Sequence, residues 1–315
     1  MHQVKIRQIQ LYKFDLLMKQ QILILTINLL FLTGYSIGNE PFPNDNLQLW
    51  LAADQGITTK DNSAKGGSKN DVISWTDQSK QKVKVLPAFE DISTRPSLIE
   101  KISELNGNPA LKFEGKGSSN FEITDALIGK FNKPFDLNRG TVFLVAKMSS
   151  VPTISPMTLS ATADSKTGRG GLGIRRGGKS GSWFCVHYGG PGNGKKIQSK
   201  ESKLDTKFHI LTVIFDKHKS ELNMIVDGQE TGTELRDNST LPLDPINYIQ
   251  IGGHGILDAA GDPGSEWFFN GLVAEIIVFD KIIGKDPKIG PYAAVGNYLQ
   301  TKYGISGKFS KPSSK

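Results

Sequence analysis

The chain has 315 residues, a net charge of +7 and a single cysteine, Cys185, which excludes an internal disulfide and any cysteine-based metal cluster. A chain of this length holds a core by burial alone and fits one large β domain, a class that runs to about 250 residues as a unit. The positive charge is local: residues 165–203 carry nine basic residues against Glu201, a net +8, on an otherwise near-neutral body. That pattern excludes general nucleic-acid binding and points to an anionic partner or a solvated loop.

Residues 1–38 read as an export signal. Met18-Lys19 opens it, the apolar run Ile22–Leu32 follows, and Ser36-Ile37-Gly38 supplies the small residues of a cleavage site. Residues 1–17 are then an upstream extension, with Met18 as the functional start. The run is broken by Thr26 and Asn28 and is shorter than the ~20 residues of a membrane span. Cleavage after Gly38 is expected, and a retained anchor is the alternative. Once the signal is cleaved no stable membrane span is expected, and the mature chain is secreted, periplasmic or at the cell surface. No cysteine follows the run, which argues against attachment as a lipoprotein.

Residues 39–45 form a Pro/Asn linker. At Leu47–Asp54, Leu47, Leu49 and Leu51 alternate with Gln48, Trp50 and Ala52, the spacing of a strand. Val72–Lys80 (VISWTDQSK) reads as a strand running into a turn, and Asn106–Gly115 (NGNPALKFEG) as a strand with turns at both ends. Thr141–Met148 and Phe208–Phe215 are apolar enough for central strands of a two-sheet core. Phe215 leads through Asp216–Ser220 into Glu221–Val226, a hairpin, and then into an Asp227-Gly228 turn. Tyr248–Gly252 and Trp267–Phe279 are further strands, the second crossing an Asn270-Gly271 bend. Tyr292, Val295, Leu299 and Tyr303 form one helical stripe, weakened by Gly296. Residues 306–315 read as a disordered basic tail.

In their order and spacing these segments resemble bacterial LamG-like modules of the concanavalin A-like lectin/glucanase superfamily. The features that carry the resemblance are the aliphatic-Trp strand at Leu47–Asp54, the Trp75-x-Asp77-x-Ser79 turn and the Asn106-Gly107-x-Pro109-Ala110 strand. The closing strand Trp267–Phe279 and the terminal helix within Tyr292–Ile305 complete them. The likeness spans residues 46–305, with one longer link at Lys281–Gly290. It implies an all-β, two-sheet antiparallel jelly-roll sandwich with one short C-terminal helix. That superfamily mixes glycan binders, adhesion modules and a few catalytic branches, so function rests on individual residues.

Several motifs point to chemistry that their surroundings deny. Gly173–Ser180 (GIRRGGKS) satisfies the P-loop pattern, but Gly181–Pro191 cannot form the helix whose amides hold the phosphates, so no nucleotide is expected. The overlapping Gly168-x-Gly170-x-x-Gly173 has no βαβ unit around it. Glycoside hydrolysis needs two carboxylates about 5–5.5 Å apart for retention. The glucanase branch of the resembled superfamily supplies them as Glu-x-Asp-x-x-Glu on one strand, a run absent here. Glu275 stands alone, flanked two residues away by Val273 and Ile277, and is expected to be structural, with Glu275→Gln costing on the order of 1–2 kcal/mol. There is no Gly-x-Ser-x-Gly elbow, and the five histidines lack zinc spacing. Asp258, Asp262 and Glu266 on a loop before the closing strand are candidate ligands for calcium, which lectins and LamG modules often bind; a solvated acidic loop is the alternative.

The better lead is basic and aromatic. Ser182–Tyr188 (SWFCVHY) alternates, so Trp183 would face outward among Arg175, Arg176, Lys179, Lys195 and Lys196 were Phe184 and Val186 to face the core. Aromatic rings stack on sugars, and guanidinium forks match carboxylate or sulfate geometry. The alternative is a core Trp183 beneath solubilising loops. Together these features describe an exported, non-catalytic module for carbohydrate binding or adhesion, with a glycan or cell-surface polysaccharide, and specifically an anionic one, as partner. The rival readings are a glycosidase or polysaccharide lyase on the same fold, and a structural module of a cell-surface assembly.

Overall fold

A computed structural model of the chain describes residues 45–309, apart from 115–124, 137, 150–156, 163–170, 177–181, 189–195, 200–201, 204–205, 220, 231–232, 235–244 and 254–267. Two antiparallel sheets face each other. In the inner sheet Asn270–Phe279 is central, with Arg139–Met148 along one edge. Its other edge is shared by Leu47–Ala52, beside the C-terminal half, and Ala110–Glu114, beside the N-terminal half. Arg139–Met148 then pairs with His209–Asp216, and that strand with its hairpin partner Glu221–Val226.

The outer sheet runs in spatial order through Asp71–Thr76, Lys84–Pro87, Leu127–Phe135, Ile246–Ile251, Met157–Thr162, Leu172–Arg176, Ser182–Tyr188 and Lys196–Ser199. Ser97–Ile99 joins the layers, pairing with Ala110–Glu114 and with Asp71. The result is an all-β jelly-roll sandwich with a single C-terminal helix among the described residues.

The inner sheet is buried on both faces, which explains why its strands read as continuous apolar runs. Val142, Leu144 and Ala146 pack with Leu211, Val213 and Phe215 between the sheets. The alternate residues Phe143 and Val145, with Ile210 and Ile214, pack beneath the helix Gly290–Tyr303. That helix presents the expected stripe: Tyr292, Val295, Leu299 and Tyr303 are all fully buried. It stops at Gly304, whose φ of 65° is the left-handed conformation that suits glycine at a helix end.

Three local readings change. The sequence at Asn270-Gly271 is not a bend but continuous strand, registered with Glu114 and Phe113. Glycine is required there because a Cβ would lie 2.2 Å from the Lys147 carbonyl oxygen. The packed body also does not end at residue 305: Phe309 is only 4% exposed, and the Lys308 N–H donates to the Asp227 carbonyl at 2.9 Å. Residues 306–309 therefore belong to the domain and not to a disordered tail, while 310–315 lie outside the described residues.

Phe309 explains the third. Its ring sits where a Cβ on Gly296 would be, 2.0 Å from the nearest ring carbon, so the glycine that weakens the helix pattern is the seat of an aromatic. Helix propensity alone favours Gly296→Ala by about 1 kcal/mol. Displacing Phe309 forfeits about 1.5–3 kcal/mol of burial, so the substitution is expected to lower stability by about 0.5–2 kcal/mol. In a Phe309→Ala background the same change should become neutral or stabilising. Denaturant titration of the four proteins of that cycle measures the reversal, and its absence would refute the packing explanation.

Candidate functional site

The described part of the basic segment is built of strands. Leu172–Arg176 and Ser182–Tyr188 pair antiparallel, so the residues matching the P-loop pattern lie on and between two strands and not before a helix. Register sets Arg176 directly opposite Trp183 and Arg175 opposite Phe184. On the far side Tyr188 is opposite Lys196. Four of the six candidate ligand residues thus fall on three adjacent strands, and Lys179 and Lys195 lie outside the described residues. Cys185 is registered with Ile174 and His187 with Leu172, both of which are buried, whereas Trp183 is registered with Arg176.

Glu275 has a clear setting. The closing strand bulges at Ala274, where Val273 pairs with Ala146 and Glu275 with Val145, leaving one residue over. A strict two-residue period would put Glu275 on the same face as Val273, between the sheets. The extra residue turns it instead to the helix side, with Ile277 and Phe279. There its carboxylate is met by three donors from two elements. Trp50 Nε1 donates to Oε1 at 2.7 Å, the Tyr303 hydroxyl donates to Oε2 at 2.6 Å, and Lys302 Nζ lies 2.9 Å from Oε2. Lys302 also reaches Asp54 at 2.8 Å and the Tyr298 hydroxyl at 3.1 Å. Burial, and then the adjacent Glu275, hold the Tyr303 hydroxyl well above its ordinary range, so it remains a donor. A carboxylate clamped in this way binds first strand, last strand and helix together. The sequence shows the acid; it does not show the bulge that aims it or the lysine that meets it.

Two further acids are structural in kind. Asp77, fully buried, accepts from the backbone N–H groups of Trp50 at 2.7 Å, Ser79 at 2.8 Å and Val83 at 3.3 Å, and from the Ser79 hydroxyl at 2.5 Å. The Trp-x-Asp-x-Ser sequence is therefore a turn lock, completed by Trp75 Nε1 donating to the Ala52 carbonyl at 3.0 Å. Asp125 is 5% exposed and accepts the Glu114 N–H at 2.7 Å. Burial pushes its carboxyl up to about 7; the Glu114 N–H opposes that rise, and the charges of Glu114 and Asp71 add to it.

The calcium candidates Asp258, Asp262 and Glu266 lie outside the described residues. Among the described residues no group of three or more acidic, histidine or cysteine side chains could hold a metal ion, and no helix is long and apolar enough to cross a membrane.

No protein-family profile matches the sequence, and no curated protein matches it. Among solved structures the fold is similar to the binding domain of botulinum neurotoxin serotype D/C, with a TM-score of 0.53 at 9% identity, covering 82% of this chain and 53% of that one. It is likewise similar to the neurotoxin DC binding domain in complex with rat synaptotagmin II, with a TM-score of 0.53 at 10% identity over 82% of this chain and 52% of that one. A third is a structure of botulinum neurotoxin type C, which depends on interaction with two ganglioside molecules to enter cells; there the TM-score is 0.52 at 9% identity over 82% and 51%. The chain spans about half the length of these structures. At such identity the likeness is one of fold.

Proposed function

We propose that this chain is an exported, non-catalytic LamG-like module that binds a glycan or cell-surface polysaccharide, and that the ligand is anionic. The observation that carries the reading is the register of the basic strands, which sets Arg176 opposite Trp183, with Arg175 next to it along its strand and Lys196 on the following strand opposite Tyr188. A guanidinium group recognises carboxylate and sulfate, and an indole stacks on a sugar face. Two facts support binding over hydrolysis. Glu275, the lone carboxylate within the closing strand, is fully engaged in holding the fold together. Two of the similar folds among solved structures are binding domains of a botulinum neurotoxin, and a third is a structure of a neurotoxin that depends on gangliosides for cell entry.

The experiment uses heparin and polygalacturonate as probes. Arg175→Ala combined with Arg176→Ala should weaken both by about tenfold or more at low salt without lowering the melting temperature, because charge-assisted hydrogen bonds are lost. Trp183→Ala should weaken them at every salt concentration, since stacking is short-ranged. Unchanged affinity in both variants would refute the reading.

A further inference from the structure

A concavity lies at one end of the inner sheet, where Arg139–Met148 begins and both His209–Asp216 and Asn270–Phe279 end. Its volume of about 400 Å³ falls in the range of small-ligand sites, roughly 300–1,000 Å³. Its walls are ordered from behind. Asp216, 2% exposed, takes Arg139 Nε at 3.1 Å and the His218 N–H at 3.1 Å, which fixes the guanidinium and leaves its terminal nitrogens to the pocket. Asp136 Oδ1 accepts the Asn138 N–H at 2.7 Å, leaving Oδ2. Asp280 Oδ2 accepts Gln48 Nε2 at 2.8 Å, while its Oδ1, shielded in the wall, has no hydrogen-bond partner among the described residues. Turning the carboxyl about its soft terminal torsion would bring that oxygen to a ligand at the expense of the Gln48 bond. Lys281 and Ile282 complete the lining.

The charges select the ligand. Arg139 is neutralised by Asp216, so Lys281 stands against Asp136 and Asp280. An anion meets two carboxylates, and a cation meets an arginine and a lysine. A hydroxyl does well with both, donating to the carboxylates and accepting from Arg139 and Lys281. Ile282 offers an apolar contact to a C–H face. We propose that this pocket binds a neutral, hydroxyl-rich ligand, a sugar residue without charged substituents, independently of the basic hairpin.

The test titrates the full chain with methyl α-glucoside, methyl α-galactoside and methyl α-mannoside, followed by saturation-transfer NMR and calorimetry. At least one probe should bind saturably in the millimolar range and be indifferent to moderate salt. Asp280→Asn and Asp136→Asn should each weaken it about tenfold. Asp136 is exposed, so its variant is expected to keep the wild-type melting temperature even where Asp280→Asn does not. Arg175→Ala with Arg176→Ala should leave this binding intact, which separates it from the hairpin. The proposal is overturned by any of three results: no saturable binding of all three probes to about 50 mM, wild-type affinity in both aspartate variants, or loss of binding in the arginine variant.

Discussion

Glu275→Gln is expected to lower the stability of the folded chain by about 2–4 kcal/mol, more than a lone buried hydrogen bond would suggest. The carboxylate accepts from Trp50, Tyr303 and Lys302, three donors on two oxygens. An amide in its place turns one acceptor into a donor. If its NH₂ lies toward Lys302 and Tyr303, two donors face it; if flipped, it faces Trp50 Nε1. Either orientation leaves Lys302, whose side chain is only 12% exposed, with Asp54 as its remaining carboxylate. For a chain of this size the loss corresponds to a melting-temperature drop on the order of 5–15 °C. Adding Lys302→Met should restore part of it, because the uncompensated ammonium is removed with its partner. Chemical denaturation of the single and double variants checks this. A loss below about 0.5 kcal/mol would remove the clamp from the account. A hydrolytic or lyase activity abolished by Glu275→Gln at unchanged melting temperature would reinstate the enzyme reading.

Asp125 should make the wild-type chain less stable as pH rises. Its carboxyl sits at about 7 in the fold, against an ordinary 3.8, so between those values the folded state holds a proton that the unfolded state has released. Stability from this group is therefore fully present below about pH 4 and is lost as pH climbs through about 7. The sign is opposite to that of a salt-bridged aspartate. By pH 8 that difference corresponds to on the order of 4 kcal/mol. Asp125→Asn keeps an oxygen for the Glu114 N–H and carries no charge at any pH. Unfolding free energies of the two proteins should thus run together near pH 4, diverge progressively between about pH 4 and pH 7 and keep a constant offset above that, with the asparagine form the more stable at pH 8. Parallel curves across that range would show that Asp125 does not hold its proton in the fold.

Much of the architecture is legible in the sequence because two periods dominate it. Leu47–Ala52 and Ile246–Ile251 show strand character, and the Tyr292–Tyr303 stripe shows the helix. The doubly buried inner strands declare themselves as unbroken apolar runs. What escapes is non-local. The bulge at Ala274 reverses the face of Glu275 without leaving a mark on local composition, so a period-two reading groups it equally with Val273 and Ile277. Lys302 looks like a solvent-facing residue in the last helical turn until the fold brings it to 2.9 Å from that acid. That contact is why the cost expected from the structure exceeds the 1–2 kcal/mol expected from sequence alone. Phe309 follows a Gly-Lys pair in a basic terminal segment, and only the space above Gly296 shows why it is buried. The pocket beside Asp280 draws on Asp136–Arg139, Asp216–His218 and Asp280–Ile282, three segments with no common motif.

The central claim is that a basic and aromatic hairpin binds an anionic glycan, and a salt titration tests it most directly. Affinity for heparin and for a neutral dextran of similar length should be measured at about 30 mM and about 300 mM NaCl, conditions that shorten the screening length from roughly 18 Å to roughly 6 Å. The account predicts tighter binding of heparin than of dextran at low salt and a fall of at least about tenfold at high salt, with dextran unaffected. Heparin binding no tighter than dextran, or equally tight at both salt concentrations, would contradict it.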